Sequence, residues 1–121
     1  MKIFWRTPIV LLTAMVSFGL HSADGAPGDA TSQLVTASHI LGPWTAHSNP
    51  CQGTNDQTTF GGQSSSVLPL PGQPDAFIFM ADRWIPSDLA SSRYIWLPIQ
   101  FKGSEIEIEW RNEWTLGFFH K

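Results

Sequence analysis

Six consecutive apolar residues, Ala76-Phe77-Ile78-Phe79-Met80-Ala81, constrain this chain more than any other feature. Side chains along a strand point alternately to its two faces, so a strand apolar at every position needs cover on both. The chain must therefore supply neighbouring strands and a packing layer around this run.

The rest of the sequence can provide them. Nine prolines and ten glycines punctuate it, and no window sustains the i, i+3, i+4 apolar spacing of an amphipathic helix. Gln33 to Ser38 reads as a short strand, Gly42-Pro43-Trp44 as its close, and Asn49 to Asp56 as a polar loop. Ser65 to Leu70 is a strand ended by Pro71-Gly72. Tyr94 to Phe101 is another, and Pro98 within it removes a ladder donor, which suggests an edge or a bulge. After the turn Lys102-Gly103-Ser104, residues Glu105 to Trp110 alternate strictly. That places Ile106, Ile108 and Trp110 toward a core and the three glutamates toward water. Four consecutive antiparallel strands joined by short turns describe one propeller blade. The expected fold is all-β: one to two blades of a β-propeller built from antiparallel four-stranded sheets.

The N-terminus reads differently. Lys2 and Arg6 precede an uncharged apolar run from Pro8 to Leu20, followed by the small residues Ser22 and Ala23. This is the order of a secretory signal peptide, and the run is short for a membrane-spanning helix. The expected organisation is a signal peptide over residues 1–23, a mature segment over 24–121, and a secreted or periplasmic location without a membrane anchor after cleavage. Cleavage would remove two basic residues and no acidic ones, taking the net charge from −3 to −5. An acidic chain without a basic run is a poor match for nucleic acid. The single cysteine, Cys51, cannot build a disulfide scaffold, and the four histidines lack ligand spacing for a metal. Cys51 reads as a small, half-buried residue after Pro50.

Four motifs add a family resemblance. Thr58-Thr59-Phe60 with Gln63-Ser64, Phe79-Met80-Ala81-Asp82-Arg83-Trp84, Ser92-Arg93-Tyr94-Ile95-Trp96-Leu97-Pro98, and Trp110-Arg111-Asn112-Glu113-Trp114 resemble the C-terminal blade of glycoside hydrolase family 43. The nearest branch is the exo-β-1,3-galactanase-like one. Ala30 to Thr45, with its Ile40-Leu41-Gly42-Pro43-Trp44 ending, is similar to the outer strands of the preceding blade. The resemblance implies a five-bladed propeller whose central pocket hydrolyses a terminal sugar from a polysaccharide, with carboxylates supplied by the earlier blades. It implies no cofactor. The family can hold a structural calcium in its channel, but no residue here is assignable as its ligand.

Within that frame Gln63 corresponds to the glutamine that orients or activates water in the galactanase-like branch. A neutral amide is a poor proton acceptor, so this role depends on its hydrogen-bonding surroundings. Its plainer reading is a turn amide beside Gly61 and Gly62. Phe60, next to it, is a candidate to stack on a sugar ring, as is Trp84, because a pyranose face and an aromatic face are both apolar. Trp84, Trp96 and Trp110 at strand spacing equally suit an inter-blade core. Asp82 and Arg83 read as an ion pair fixing a turn, and Glu113 as a partner for Arg111 or Arg93. Glu105, Glu107 and Glu109 form a solvated face. The acid needed for glycoside hydrolysis is not identifiable, so the chain is expected to be inactive alone. The alternative is a non-catalytic module that binds carbohydrate or completes a propeller. About 98 residues cannot close a propeller, so Phe77, Ile78, Phe79, Ile95, Trp96, Leu97 and Trp110 are expected to meet water, missing N-terminal blades or another copy of the chain.

Overall fold

A computed structural model describes residues 34–37, 39, 41–103 and 105–120. The signal-like segment, the turn at 24–29 and part of the first expected strand lie outside the described residues. Among the described residues eight strands make three small sheets: β1 (Val35–Thr36) with β2 (Thr45–Ala46), a sheet ordered β3-β8-β7, and a sheet ordered β4-β5-β6. The second sheet holds β3 (Cys51–Gln52), β7 (Gln100–Lys102) and β8 (Glu105–Glu109). The third holds β4 (Gln63–Pro69), β5 (Phe77–Arg83) and β6 (Arg93–Pro98). The all-β expectation holds, and the described sheets do not close into a barrel.

The apolar run became the central strand. β5 pairs antiparallel with β4 and with β6, so Phe79 faces Val67 on one side and Leu97 on the other. The β4–β5 connection is tight: Leu70 receives the Gln73 amide and donates its own to Ala76 O at 2.9 Å. Pro71 and the positive-φ Gly72 occupy the two positions where a type II turn wants them.

Among the described residues this sheet has three strands, where four were expected. Tyr94–Phe101 divides at Pro98, the last residue of β6, after which Ile99 donates its amide to Phe77 O at 2.9 Å. The chain then leaves to form β7, which pairs antiparallel with β8. Pro98 thus marks the end of an edge strand, as its missing donor requires. The loop after Asn49 also contains a strand that the sequence reading left out. Cys51 and Gln52 pair in parallel with Ile108 and Glu109, held by Ile108 N–H to Pro50 O at 2.8 Å and Trp110 N–H to Gln52 O at 3.1 Å.

This second sheet covers one face of the first. Leu34, Cys51, Phe60, Phe79, Ala81, Ile95, Leu97, Ile99, Ile106 and Ile108 form a single buried cluster, with Val67, Phe77 and Trp110 against its rim. Phe79, Ile95 and Leu97, expected to meet water, are at most 4% exposed. The alternation in β8 is the cause. Ile106 and Ile108 turn inward onto the β4-β5-β6 sheet, each contributing roughly 1.5–3 kcal/mol of burial, while Glu105 and Glu109 stay exposed. Glu107 takes Lys102 at 2.7 Å. Cys51 is fully buried, beyond the half-burial expected of it. Of the residues expected to meet water, missing blades or another copy, Trp96 is 53% exposed on the face the second sheet leaves uncovered, while Ile78 on that same face is 5% exposed.

Candidate carbohydrate-facing site

The site is built on an unusual turn. Thr59 (φ 53), Phe60 (φ 61) and Gly61 (φ 72) are consecutive left-handed residues, closed by Gly62 N–H to Thr59 O at 3.0 Å. Left-handed backbone costs an L-residue roughly 1–2 kcal/mol, and Thr and Phe are poorly suited to it. Packing over-determines the conformation. Phe60 is 1% exposed, its ring 5.4 Å from that of Trp110. Its amide bonds Asn55 O at 2.8 Å. Asn49 holds the entry to the turn by donating to Asp56 O at 2.9 Å and accepting the Cys51 amide at 3.0 Å. A Cβ on Gly61 would lie 3.6 Å from Arg83 Nε, and one on Gly62 only 2.8 Å from Ile95 Cδ1.

The turn delivers Gln63, which is exposed, as the first residue of β4. Its register partner is Asp82, whose partner in turn is Tyr94, so these three share the uncovered face. Trp84 follows directly from the end of β5 and is 49% exposed. Gln63 and Trp84 therefore stand at the same end of one sheet. Phe60 does not join them: its ring is enclosed beneath the turn, where it supports the backbone leading to Gln63 and offers no face for stacking.

Two expected ion pairs are absent among the described residues. Asp82 and Arg83 are adjacent in a strand, so their side chains point to opposite faces and cannot pair. Arg83 instead places its guanidinium 5.7 Å from the centre of the Trp110 ring. Arg111 bonds Glu109 and not Glu113, and its guanidinium lies over Phe118. Arg93 donates to Ser91 O at 2.7 Å and Ser92 O at 3.0 Å. The resolved pKa shift lies away from the site: the hydrogen bond and charge of Glu107 hold the Lys102 ammonium above its ordinary value.

A concavity of about 350 Å³ runs along the edge of β6 between Tyr94–Leu97 and Trp110–Trp114. Trp114 Nε1 donates to Trp96 O at 2.7 Å and Trp110 Nε1 to Asn112 Oδ1 at 3.0 Å. Sequence reasoning missed this hollow, because the contact between Trp114 and Trp96 spans 18 positions and leaves no local pattern. Among the described residues no group of three or more His, Cys, Asp or Glu is placed to hold a metal.

The described sheets do not close on themselves, as expected of part of a propeller. The solved structures agree. A family 43 β-1,3-galactosidase, solved with galactodeoxynojirimycin, is 46% identical over 74% of this chain with a TM-score of 0.68. A second family 43 β-1,3-galactosidase is 32% identical over 73% of the chain, also at 0.68. A Bifidobacterium bifidum s17 protein given as an exo-β-1,3-galactanase, 24% identical over 73%, shares the fold with a TM-score of 0.60. No protein-family model and no curated protein matches the chain. Over about three quarters of its length the chain is thus similar to part of family 43 galactosidase structures. It spans 26%, 19% and 30% of these three structures, respectively.

Proposed function

We propose that this chain carries the galactoside-facing rim of a secreted family 43 propeller, with Gln63 hydrogen-bonding the sugar or its attacking water and Trp84 stacking beside it. The observation that carries this reading is the position of Gln63: exposed, first in its strand, and delivered by a strained turn. Strained backbone persists where surrounding structure holds it, and it clusters at functional sites. The similarity to two β-1,3-galactosidases supports β-1,3-linked galactose as the sugar.

Binding and turnover separate in this reading. Hydrolysis requires a proton donor to the leaving oxygen and a second group to activate water on the other side of the bond. The carboxylate that register places beside Gln63 is Asp82, which is exposed and lacks the enclosure that a glycosidase acid uses. The chain alone therefore binds β-1,3-galactobiose without cleaving it. Titration calorimetry of the full chain should detect galactobiose, and Gln63→Ala should weaken it about tenfold, the loss of one or two hydrogen bonds. No galactose should be released on long incubation. Release of galactose, or binding indifferent to Gln63→Ala, would contradict the proposal.

A further inference from the structure

A strand at the edge of a sheet offers unpaired backbone groups to any other chain, and natural edges are blunted by shortness, bulges, prolines or charge. Among the described residues the other edges of the two larger sheets carry such devices. β4 breaks register between Ser64 and Ser66 and ends at Pro69. β3 is two residues long, and β7 is three and ends in Lys102. β6 differs. Tyr94-Ile95-Trp96-Leu97 is uncharged, regular in register and made of strand-forming side chains, and Pro98 blunts only its last position.

Backbone groups along an antiparallel edge strand turn alternately toward the neighbouring strand and away from it. Ile99 N–H reaches Phe77 O on β5, whereas Trp96 O accepts the Trp114 Nε1 proton. The odd-numbered residues here therefore face β5, and Tyr94, Trp96 and Pro98 turn outward. Residues 110–114 stand off this edge across the hollow and reach it through Trp114. The indole is itself anchored. Its ring meets Phe119 edge-on at 6.0 Å, and Phe119 meets Phe118 at 5.3 Å. The Arg111 guanidinium lies 4.9 Å from the centre of the Phe118 ring and bonds Glu109 of β8.

We infer that residues 110–119 are a strap that guards the β6 edge against a second copy of this chain. Two such edges are self-complementary. With Ile95 of each copy on a two-fold axis, Tyr94 of one lies opposite Trp96 of the other, and each such pair exchanges both backbone hydrogen bonds. This register sets the exposed rings of Tyr94 and Trp96 across from each other, and Arg93 across from Leu97, so no like charges meet. It stops at Pro98, which has no N–H to give. The Tyr94 amide of the second copy approaches the same Trp96 oxygen that the Trp114 indole holds, so strap and partner exclude each other. The guard operates whether or not Gln63 meets a sugar.

Sedimentation equilibrium of the full chain tests this. Wild type should be monomeric at concentrations where Trp114→Ala is a dimer, with the dissociation constant of the variant at least about tenfold lower. Trp114→Phe keeps a ring against Phe119 but loses the N–H, so it should fall between the two. Adding Tyr94→Pro to Trp114→Ala removes an outward donor without touching a bond to β5, and should restore the monomer. A folded Trp114→Ala that associates no more than wild type would overturn the guard. Association that survives Tyr94→Pro would overturn the β6 pairing by placing the contact elsewhere. Should Trp114→Ala lose its β circular dichroism, Trp114→Phe decides, and no gain in its association over wild type overturns the inference. A peptide of residues 92–98 should dissociate the dimer. A scrambled peptide doing so equally well would mark the edge as open to any strand and overturn the choice of a second copy.

Discussion

Phe79→Ala should bring this chain to the margin of folding at ambient temperature. Phe79 is 1% exposed at the centre of β5, between Val67 and Leu97 in register and facing the cluster that Ile106 and Ile108 complete. Truncating a buried Phe costs roughly 3–5 kcal/mol through lost transfer energy and the cavity left behind. A domain's net stability is about 5–15 kcal/mol, and a small one sits low in that range. The substitution therefore removes most of the margin. Urea denaturation followed by tryptophan fluorescence should place the Phe79→Ala midpoint far below wild type. Leu68→Ala, at a position 42% exposed on the uncovered face, should move it by less than about 1 kcal/mol. Equal shifts for the two would mean that the covered and uncovered faces are not distinguished as described.

Phe60 offers a test of the left-handed turn itself, with an inverted order of effects. In ordinary backbone, glycine is less stable than alanine by roughly 0.5–1 kcal/mol because it has more freedom to lose. At φ 61 alanine keeps the Cβ clash and glycine removes it, a difference of roughly 1–2 kcal/mol in the other direction. Both variants forfeit the ring's burial against Trp110, roughly 3–5 kcal/mol. Phe60→Gly should nevertheless be the more stable of the two. If Phe60→Ala unfolds at higher urea than Phe60→Gly, residue 60 is not left-handed, and the strain supporting Gln63 is absent.

What the sequence disclosed divides along physical lines. Strong periodicity was legible: the continuous apolar run of β5 and the strict alternation of β8 each specified a strand, its faces and its burial. Pro98 correctly marked an edge, because the missing donor is a property of the residue itself. The two-residue β3 left no period to read. Its polar surroundings (Asn49, Gln52, Asn55) resemble a loop, yet Cys51 pairs with Ile108, 57 positions on. That long-range pairing sets β3 beside β8, and Phe79, Ile95 and Leu97, expected to meet water, missing blades or another copy, are buried within the chain instead. The candidate site shows the same split. Gly61 and Gly62 announced a turn before Gln63, but the left-handed turn at Thr59 and Phe60 contradicts the preferences of both residues. It exists because Trp110 and Asn55 hold it from elsewhere in the chain. Phe60 thus read as a surface platform and proved to be buried support. The Asp82–Arg83 ion pair was excluded by strand alternation, a rule available from the sequence once β5 is extended to Arg83.

The most direct test of the central claim is a two-dimensional amide spectrum of the full chain, titrated with β-1,3-galactobiose. Saturable shifts are expected, confined to the backbone of residues 61–64 and 83–85, the Gln63 side-chain amide and the Trp84 indole N–H. Shifts at Trp96 and Trp114 along the β6 edge, with Gln63 and Trp84 unmoved, would place sugar recognition in the β6-edge hollow and contradict this.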